Sequence, residues 1–102
     1  MSVIVELSIF PMDKEGLSLS PYVARVISII KSSGLSYQLG PMGTCIEGEW
    51  SKVMQVVDRC YRELEQDCDR IYLTIKADSR RNRTKGMIAK VESVLSKATD
   101  SR

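Results

Sequence analysis

The sequence predicts an α+β fold in which four antiparallel strands form one sheet with two helices on one face. Two segments alternate apolar and polar residues with a period of two, and three others repeat apolar residues at helical spacing. The predicted order is β, α, β, β, α, β, α. Its first six elements are the split βαβ pattern of a ferredoxin-like βαββαβ sandwich, and one C-terminal helix is added. At 102 residues, the chain suits a single domain over residues 1–102.

The first two elements are a strand and a helix. Residues 3–10 alternate with the period of two that is typical of a strand. Residues 21–33 carry an apolar stripe at helical spacing, and Ser20 before Pro21 offers a capping oxygen and a residue preset for the first helical turn. Gly34 is placed to end this helix in a left-handed conformation.

A hairpin and a second helix follow. Residues 36–39 and 44–47 have extended patterns, and the glycines and proline of residues 40–43 predict the turn between them. From Trp50 to roughly Gln66, apolar residues recur at helical spacing, so an amphipathic helix is expected there.

The last part of the chain predicts a strand, a basic turn and a third helix. Residues 70–78 alternate as a strand, and residues 80–85 form a basic turn. From Met87 onward an apolar stripe predicts a helix that precedes a polar tail at residues 98–102.

One face of the predicted sheet has no helix to cover it. On the first and fourth strands this face carries residues that are too apolar in part for a freely solvated sheet: Ile4, Glu6, Ser8, Phe10, Tyr72, Thr74 and Lys76. The third helix also has an apolar stripe with no place in the two-helix layer. We therefore expect a homo-oligomer assembled through this face and the last helix.

Composition and charge exclude several classes of protein. A hydrophobic share of 43% and a charged share of 27% argue against disorder, and a net charge of +2 is too small to select a partner by its long-range field. No apolar run approaches the roughly 20 residues of a membrane span, and the N-terminus lacks a basic segment and a cleavage site. A cytoplasmic protein is expected.

The small number of cysteines and the absence of histidine argue against metal sites and hydrolytic triads. The chain has three cysteines, Cys45, Cys60 and Cys68, and no histidine. The usual zinc-binding motifs, which combine cysteine with histidine, therefore lack their histidine ligands. The commonest general base, histidine, is missing for the same reason. Glu6 and Glu47 could form a titratable pair, but nothing marks a general acid. We expect free thiols, no metal, no cofactor and no enzymatic activity.

A nucleic-acid interpretation is also weak. The basic run at residues 80–85 could contact phosphate, although a solvated loop is the simpler interpretation. A sheet that binds RNA needs stacking aromatic residues on its two central strands, and residues 44–47 contain neither an aromatic nor a basic residue. We expect no nucleic-acid partner.

The candidate site lies in the hairpin segment, residues 37–48. Thr44, Glu47 and Tyr37 offer a hydroxyl, a carboxylate and a ring close to the tight turn, a set that suits a small polar heterocycle. A well-made hairpin whose Thr and Glu face water remains the alternative. A second cluster surrounds Ser8 at the end of strand one, and the two clusters could share one pocket because the first and third strands are neighbours.

The chain resembles the thiamine-binding family of small ferredoxin-like proteins. The resemblance rests on Leu7-Ser-Ile-Phe-Pro-Met12, on Tyr37-Gln-Leu-Gly-Pro-Met-Gly-Thr-Cys-Ile-Glu-Gly48 and on Lys90-Val-Glu-Ser-Val94, and it covers nearly the whole chain. It implies a ferredoxin-like sandwich with an extra terminal helix, assembled as a dimer of dimers, that is, a homotetramer.

The resemblance also implies a function. Members of this family bind thiamine or its hydroxymethylpyrimidine half without turnover. Carried over to this chain, the ligand would meet Thr44 and Glu47 first, with walls from Tyr37, Met42 and Gly43 and a contribution from Ser8. The alternative is a structural or regulatory homo-oligomer without such a ligand.

Overall fold

The computed structural model describes the backbone of residues 1–100 and the side chains of residues 1–98, and within them it has seven elements. In chain order these are β1 (Ser2–Pro11), α1 (Ser20–Ser32), β2 (Ser36–Leu39), β3 (Thr44–Glu49), α2 (Trp50–Glu65), β4 (Ile71–Arg80) and α3 (Gly86–Asp100). The order matches the predicted one, and the α+β class is confirmed.

The four strands form one antiparallel sheet in the order β2-β3-β1-β4. Strand β1 is central and pairs on one side with β3, where Leu7 faces Thr44, and on the other with β4, where Phe10 faces Tyr72. The first and third strands are therefore central neighbours, as predicted. This adjacency places the hairpin turn beside the C-terminal end of β1.

The hydrophobic core lies between the sheet and helices α1 and α2. Strand β1 buries every second residue from Val3 to Ile9 on this face, because successive side chains of a strand point to opposite sides. The buried core comprises Val3, Val5, Leu7, Ile9, Val26, Ile30, Ile46, Val53, Val56, Val57, Cys60, Leu64 and Cys68. The two helices are thus fixed on one face only.

The ends of α1 differ in part from the prediction. The helix begins at Ser20, one residue earlier than expected, because the Leu19 carbonyl already accepts hydrogen bonds from the N–H groups of Tyr22 and Val23. Leu19 is therefore the capping residue, and the prediction of a Ser20 cap was wrong. Gly34 has φ of +76°, which confirms the predicted left-handed end.

Strands β3 and β4 and helix α3 run further than predicted. Strand β3 continues to Glu49 and β4 to Arg80, because both find partners at the start of β1, where Ser2 faces each of them. Helix α3 continues to Asp100, since no glycine or proline interrupts it after Gly86. The predicted polar tail is therefore partly helical, and residues 101–102 lie outside the described residues.

Within the part of the chain that the structure describes, no helical layer covers the second face of the sheet. Phe10 and Tyr72 stack there with ring centroids 5.7 Å apart, and Glu6 pairs with Lys76 at 3.5 Å. Helix α3 touches β3 near its own beginning, yet Ile88 and Val91 on its stripe are each 49% exposed. Within residues 1–100, no helix is both long and apolar enough to cross a membrane.

Candidate functional site

The candidate site is a gap at the C-terminal end of β1. This strand pairs with β4 from Ser2 to Pro11, but with β3 only from Ser2 to Leu7. Beyond Leu7 the chain of the hairpin turns away, and the Gly40 N–H closes the turn by donating to the Gly43 carbonyl at 2.8 Å. One side of the last residues of β1 therefore faces a hollow instead of a strand.

This hollow is a cavity of about 330 Å³ between β1, the hairpin turn and α1. Its volume lies at the lower end of the roughly 300–1,000 Å³ typical of small-molecule sites. The walls are formed by Leu7, Ser8, Ile9, Phe10, Leu19, Val23, Val26, Ile27, Leu39, Gly40, Pro41, Met42, Gly43 and Thr44. Among these lining residues none is charged, and only Ser8 and Thr44 carry polar side chains.

The structure brings four of the six predicted site residues to this cavity. They are Ser8, Met42, Gly43 and Thr44. Thr44 is 5% exposed and Met42 is 89% exposed, so the threonine lies deep and the methionine lies at the rim. A Cβ at Gly43 would lie 3.2 Å from the Leu7 carbonyl oxygen, which shows how closely the turn approaches β1. One residue of each predicted cluster that was proposed for the site, Ser8 and Thr44, thus lines the same cavity.

Tyr37 lies behind this cavity and not in its wall. On β2 it faces Ile46 of β3, a residue of the buried core, and its side chain packs against that core. The ring supports the sheet beneath the hairpin, and the structure gives it no exposed position beside Thr44.

Glu47 lies on the opposite face of the sheet and does not reach this cavity. Its two carboxylate oxygens accept hydrogen bonds from the backbone N–H of Gly86 at 2.5 Å and of Met87 at 3.3 Å. The side chain is 8% exposed. Glu47 therefore satisfies two free donors at the N-terminus of α3 and places a negative charge at the positive end of the helix dipole.

The spacing of the two residues explains this separation. Side chains alternate across a strand, so residues three positions apart, such as Thr44 and Glu47, must face opposite sides of an unbroken strand. Strand β3 is continuous through both. The expectation that these two groups share a cavity was wrong for this reason, and the sequence already contained the signal that corrects it.

The basic run is only partly a solvated loop. Arg83 has a side chain 9% exposed, and its guanidinium donates to the Asp78 carboxylate at 2.9 Å and to the Asp78 carbonyl at 2.8 Å. Lys90 also pairs with Asp78, and these two cations lower the pKa of that carboxyl below its ordinary value. Arg83 thereby tethers the turn that leads into α3.

The cysteines are free thiols in the part of the chain that the structure describes. Burial raises the pKa of Cys60 to about 11. Burial, and then the nearby Glu6 carboxylate, raise the pKa of Cys45 on the uncovered sheet face. Within the described residues, no group of three or more Cys, Asp or Glu side chains could hold a metal ion.

A hollow lined mainly by apolar residues, with Thr44 as a nearly buried polar residue in its wall, on a small ferredoxin-like sandwich, is typical of a protein that binds a small molecule. The chain belongs to the family described as thiamine-binding protein, whose model matches residues 5–95. A UPF0045 protein of Methanothermobacter thermautotrophicus is 35% identical over 97 residues, covering 93% of this chain and 98% of its own. UPF0045 protein YqgV of Bacillus subtilis is 33% identical over 96 residues, covering 89% and 92%.

Solved structures of similar proteins share this architecture. The hypothetical protein MJ1052 of Methanocaldococcus jannaschii has a TM-score of 0.83 at 28% identity, over 91% of this chain and 95% of that one. A putative thiamine biosynthesis/salvage protein of Thermotoga maritima has a TM-score of 0.75 at 29% identity, over 89% and 99%. The ferredoxin-like fold is therefore confirmed.

Proposed function

We propose that this protein binds thiamine or its hydroxymethylpyrimidine half in the cavity at the end of β1, without catalysing a reaction. The observation that carries this proposal is the position of Thr44, a residue only 5% exposed that lines an apolar, ring-sized cavity. Membership of a family described as thiamine-binding supports it. Ser8 would form part of the β1 wall, with its hydroxyl turned to the uncovered face because side chains alternate along the strand, while Gly43 and Met42 would form the wall and the rim.

The positively charged thiazolium ring of thiamine is expected at the edge of this cavity and not in its interior. The lining carries no charged side chain, so the uncharged aminopyrimidine would occupy the interior. The nearest carboxylate, that of Glu6, pairs with Lys76 on the uncovered face of the sheet and does not line the cavity. The thiazolium cation would therefore lie toward solvent at the open end of the cavity.

The remaining two predicted residues would act indirectly. Glu47 would hold α3 through Gly86 and Met87, and Tyr37 would support the strand that carries the turn. Neither would touch the ligand in this arrangement.

Thermal melting with ligand tests the proposal. A ligand at about ten times its Kd stabilises the native state by about 1.4 kcal/mol, which for a domain of roughly 100 residues raises Tm by about 5–10 °C. We expect such a rise with thiamine or with hydroxymethylpyrimidine. The variant Thr44→Val, which removes only the hydroxyl, should lose most of the rise.

A matched substitution locates the site. Thr84→Val makes the same change in the exposed turn beside Glu47, outside the cavity, and should keep the full rise in Tm. A rise that Thr84→Val abolishes and Thr44→Val leaves intact would move the ligand to the Glu47 side. No rise at millimolar ligand would overturn the proposal and favour a homo-oligomer that has no such ligand.

We further propose that the protein acts in the cytoplasm as a homotetramer, a dimer of dimers. Two observations favour assembly: the stacked Phe10 and Tyr72 on the uncovered sheet face, and the exposed Ile88 and Val91 of α3. Val91→Glu should reduce the mass measured by light scattering. Ser93→Glu, two residues along the same helix and on a different side of it, should leave the mass unchanged. A wild-type monomer would contradict the proposal.

A further inference from the structure

The backbone of β1 presents its polar groups alternately to its two neighbouring strands. The Met1 carbonyl accepts from the Trp50 N–H at 3.3 Å on the β3 side, while the Met12 N–H donates to the Arg70 carbonyl at 2.8 Å on the β4 side. The register with β4 is continuous from Ser2 to Pro11, so no bulge shifts this alternation. Odd-numbered residues of β1 therefore direct their N–H and C=O toward β3.

Ile9 is the odd-numbered residue at which β3 is no longer present. The pairing with β3 ends where Leu7 faces Thr44. The N–H and C=O of Ile9 consequently point into the gap, and among residues 1–100 no loop or turn backbone group bonds to them. Ile9 lines the same cavity as Thr44. A donor and an acceptor thus lie side by side on the inner wall.

Backbone groups in this position need a partner. A buried peptide group without a hydrogen bond costs free energy, and native proteins pair nearly all such groups with protein, water or ligand. The matching partner is a flat group that carries an acceptor next to a donor. An aminopyrimidine offers this pair as a ring nitrogen beside its exocyclic amine.

We infer that the backbone N–H and C=O of Ile9 bind the donor and acceptor edge of a small planar heterocycle, continuing the hydrogen-bond pattern of β3 with ligand in place of a strand. This inference rests on the proposed function and names the backbone groups that would recognise the ring of the ligand. Specificity for an amino-substituted ring then comes from the main chain, and the Thr44 hydroxyl adds a contact from the facing strand.

The length of the gap favours a ring over a peptide strand. A bound strand needs repeated donors and acceptors along the edge. The next odd-numbered residue of β1 is Pro11, which has no N–H. The β3 side of this edge therefore offers a single donor, at Ile9, which suits one ring.

Calorimetric titration of the unmodified protein tests the inference with two probes. One is 4-amino-5-hydroxymethyl-2-methylpyrimidine, and the other is the same compound without the 4-amino group. Loss of one hydrogen bond at a buried site corresponds to a roughly tenfold weaker Kd. We expect the compound without the amine to bind about tenfold more weakly.

A backbone variant supplies the matching change in the protein. Cys45 permits chemical ligation of a synthetic segment 1–44 to residues 45–102, and an ester in place of the Ser8–Ile9 peptide bond removes the Ile9 N–H. The control is an ester at Glu15, an exposed loop residue of the same segment. We expect the Ile9 ester to weaken binding of the aminopyrimidine about tenfold and the Glu15 ester to leave it unchanged.

The outcomes separate the two proposals. If the aminopyrimidine binds, and neither the missing amine nor the Ile9 ester weakens it, the inference about Ile9 is wrong and the proposed function stands. If neither thiamine nor the aminopyrimidine binds, the proposed function fails and the inference fails with it.

Discussion

Replacing Glu47 with alanine is expected to loosen helix α3 and to leave the ligand cavity intact. Glu47 accepts two hydrogen bonds from the first N–H groups of this helix, at 2.5 Å from Gly86 and at 3.3 Å from Met87. The substitution would leave both donors without this partner in a site where Glu47 is only 8% exposed. It would also remove the negative charge that complements the helix dipole.

The expected magnitude follows from these contacts. Loss of a helix cap costs about 0.5–2 kcal/mol, and a hydrogen bond to a charged group contributes about 1.5–3 kcal/mol. Because one of the two bonds is long, we expect a loss of about 2–3 kcal/mol in the free energy of unfolding. Glu47→Gln retains one acceptor oxygen and should lose about half as much.

Urea unfolding and amide hydrogen exchange would measure this effect. In Glu47→Ala the amides of Gly86 and Met87 should exchange much faster. The amides of β1 should exchange faster only to the extent that the global free energy of unfolding falls. The control is Glu49→Ala, because Glu49 is exposed and its carboxylate accepts a hydrogen bond from the Ser51 hydroxyl at 2.9 Å and not from α3. This variant should change stability by less than about 0.5 kcal/mol.

One result would refute this reasoning. If Glu47→Ala unfolds like the wild type and retains slow exchange at Gly86, yet loses binding of thiamine, then Glu47 is a ligand-contacting residue. The carboxylate would then have a different partner in solution from the one described above.

Three further expectations follow from the cavity, the thiols and the acidic side chains. Phosphorylated thiamine should bind more weakly than thiamine, because no cationic side chain lines the cavity; equal affinities by calorimetry would contradict this. At pH 8, iodoacetamide should modify Cys45 before Cys60, whose pKa of about 11 and full burial keep it a thiol; mass spectrometry of partially labelled protein would show the order. Cations lower the pKa values of Asp67 and Asp78 below the ordinary 3.8, so their stabilising contribution is present above that pH and is lost as the pH falls below it. Asp78→Asn should therefore reduce the decrease of Tm on acidification, and an unchanged decrease would exclude this role.

The sequence predicted the elements well because their patterns are local. The alternation from Val3 to Ile9 and the left-handed Gly34 were each visible in a few neighbouring residues. The sheet order followed from the split βαβ arrangement, which leaves few alternatives. These features require no knowledge of contacts between distant parts of the chain.

The site was less predictable because it depends on register and on contacts across the chain. Ser8 and Thr44 do line one cavity, but the gap beside Ile9 exists only because β3 begins opposite Leu7. No local pattern fixes that point. Similarly, the partner of Glu47 is Gly86, 39 residues away, and the burial of Arg83 follows from the same approach of α3.

Titration of isotopically labelled protein with the aminopyrimidine, followed by amide NMR shifts, tests the central claim most directly because no residue is changed. We expect the largest shifts at the amides of Ile9, Gly43 and Thr44, and no shift at the amides of Gly86 and Met87. Shifts concentrated on Gly86 and Met87, or no shifts at millimolar concentration, would contradict it.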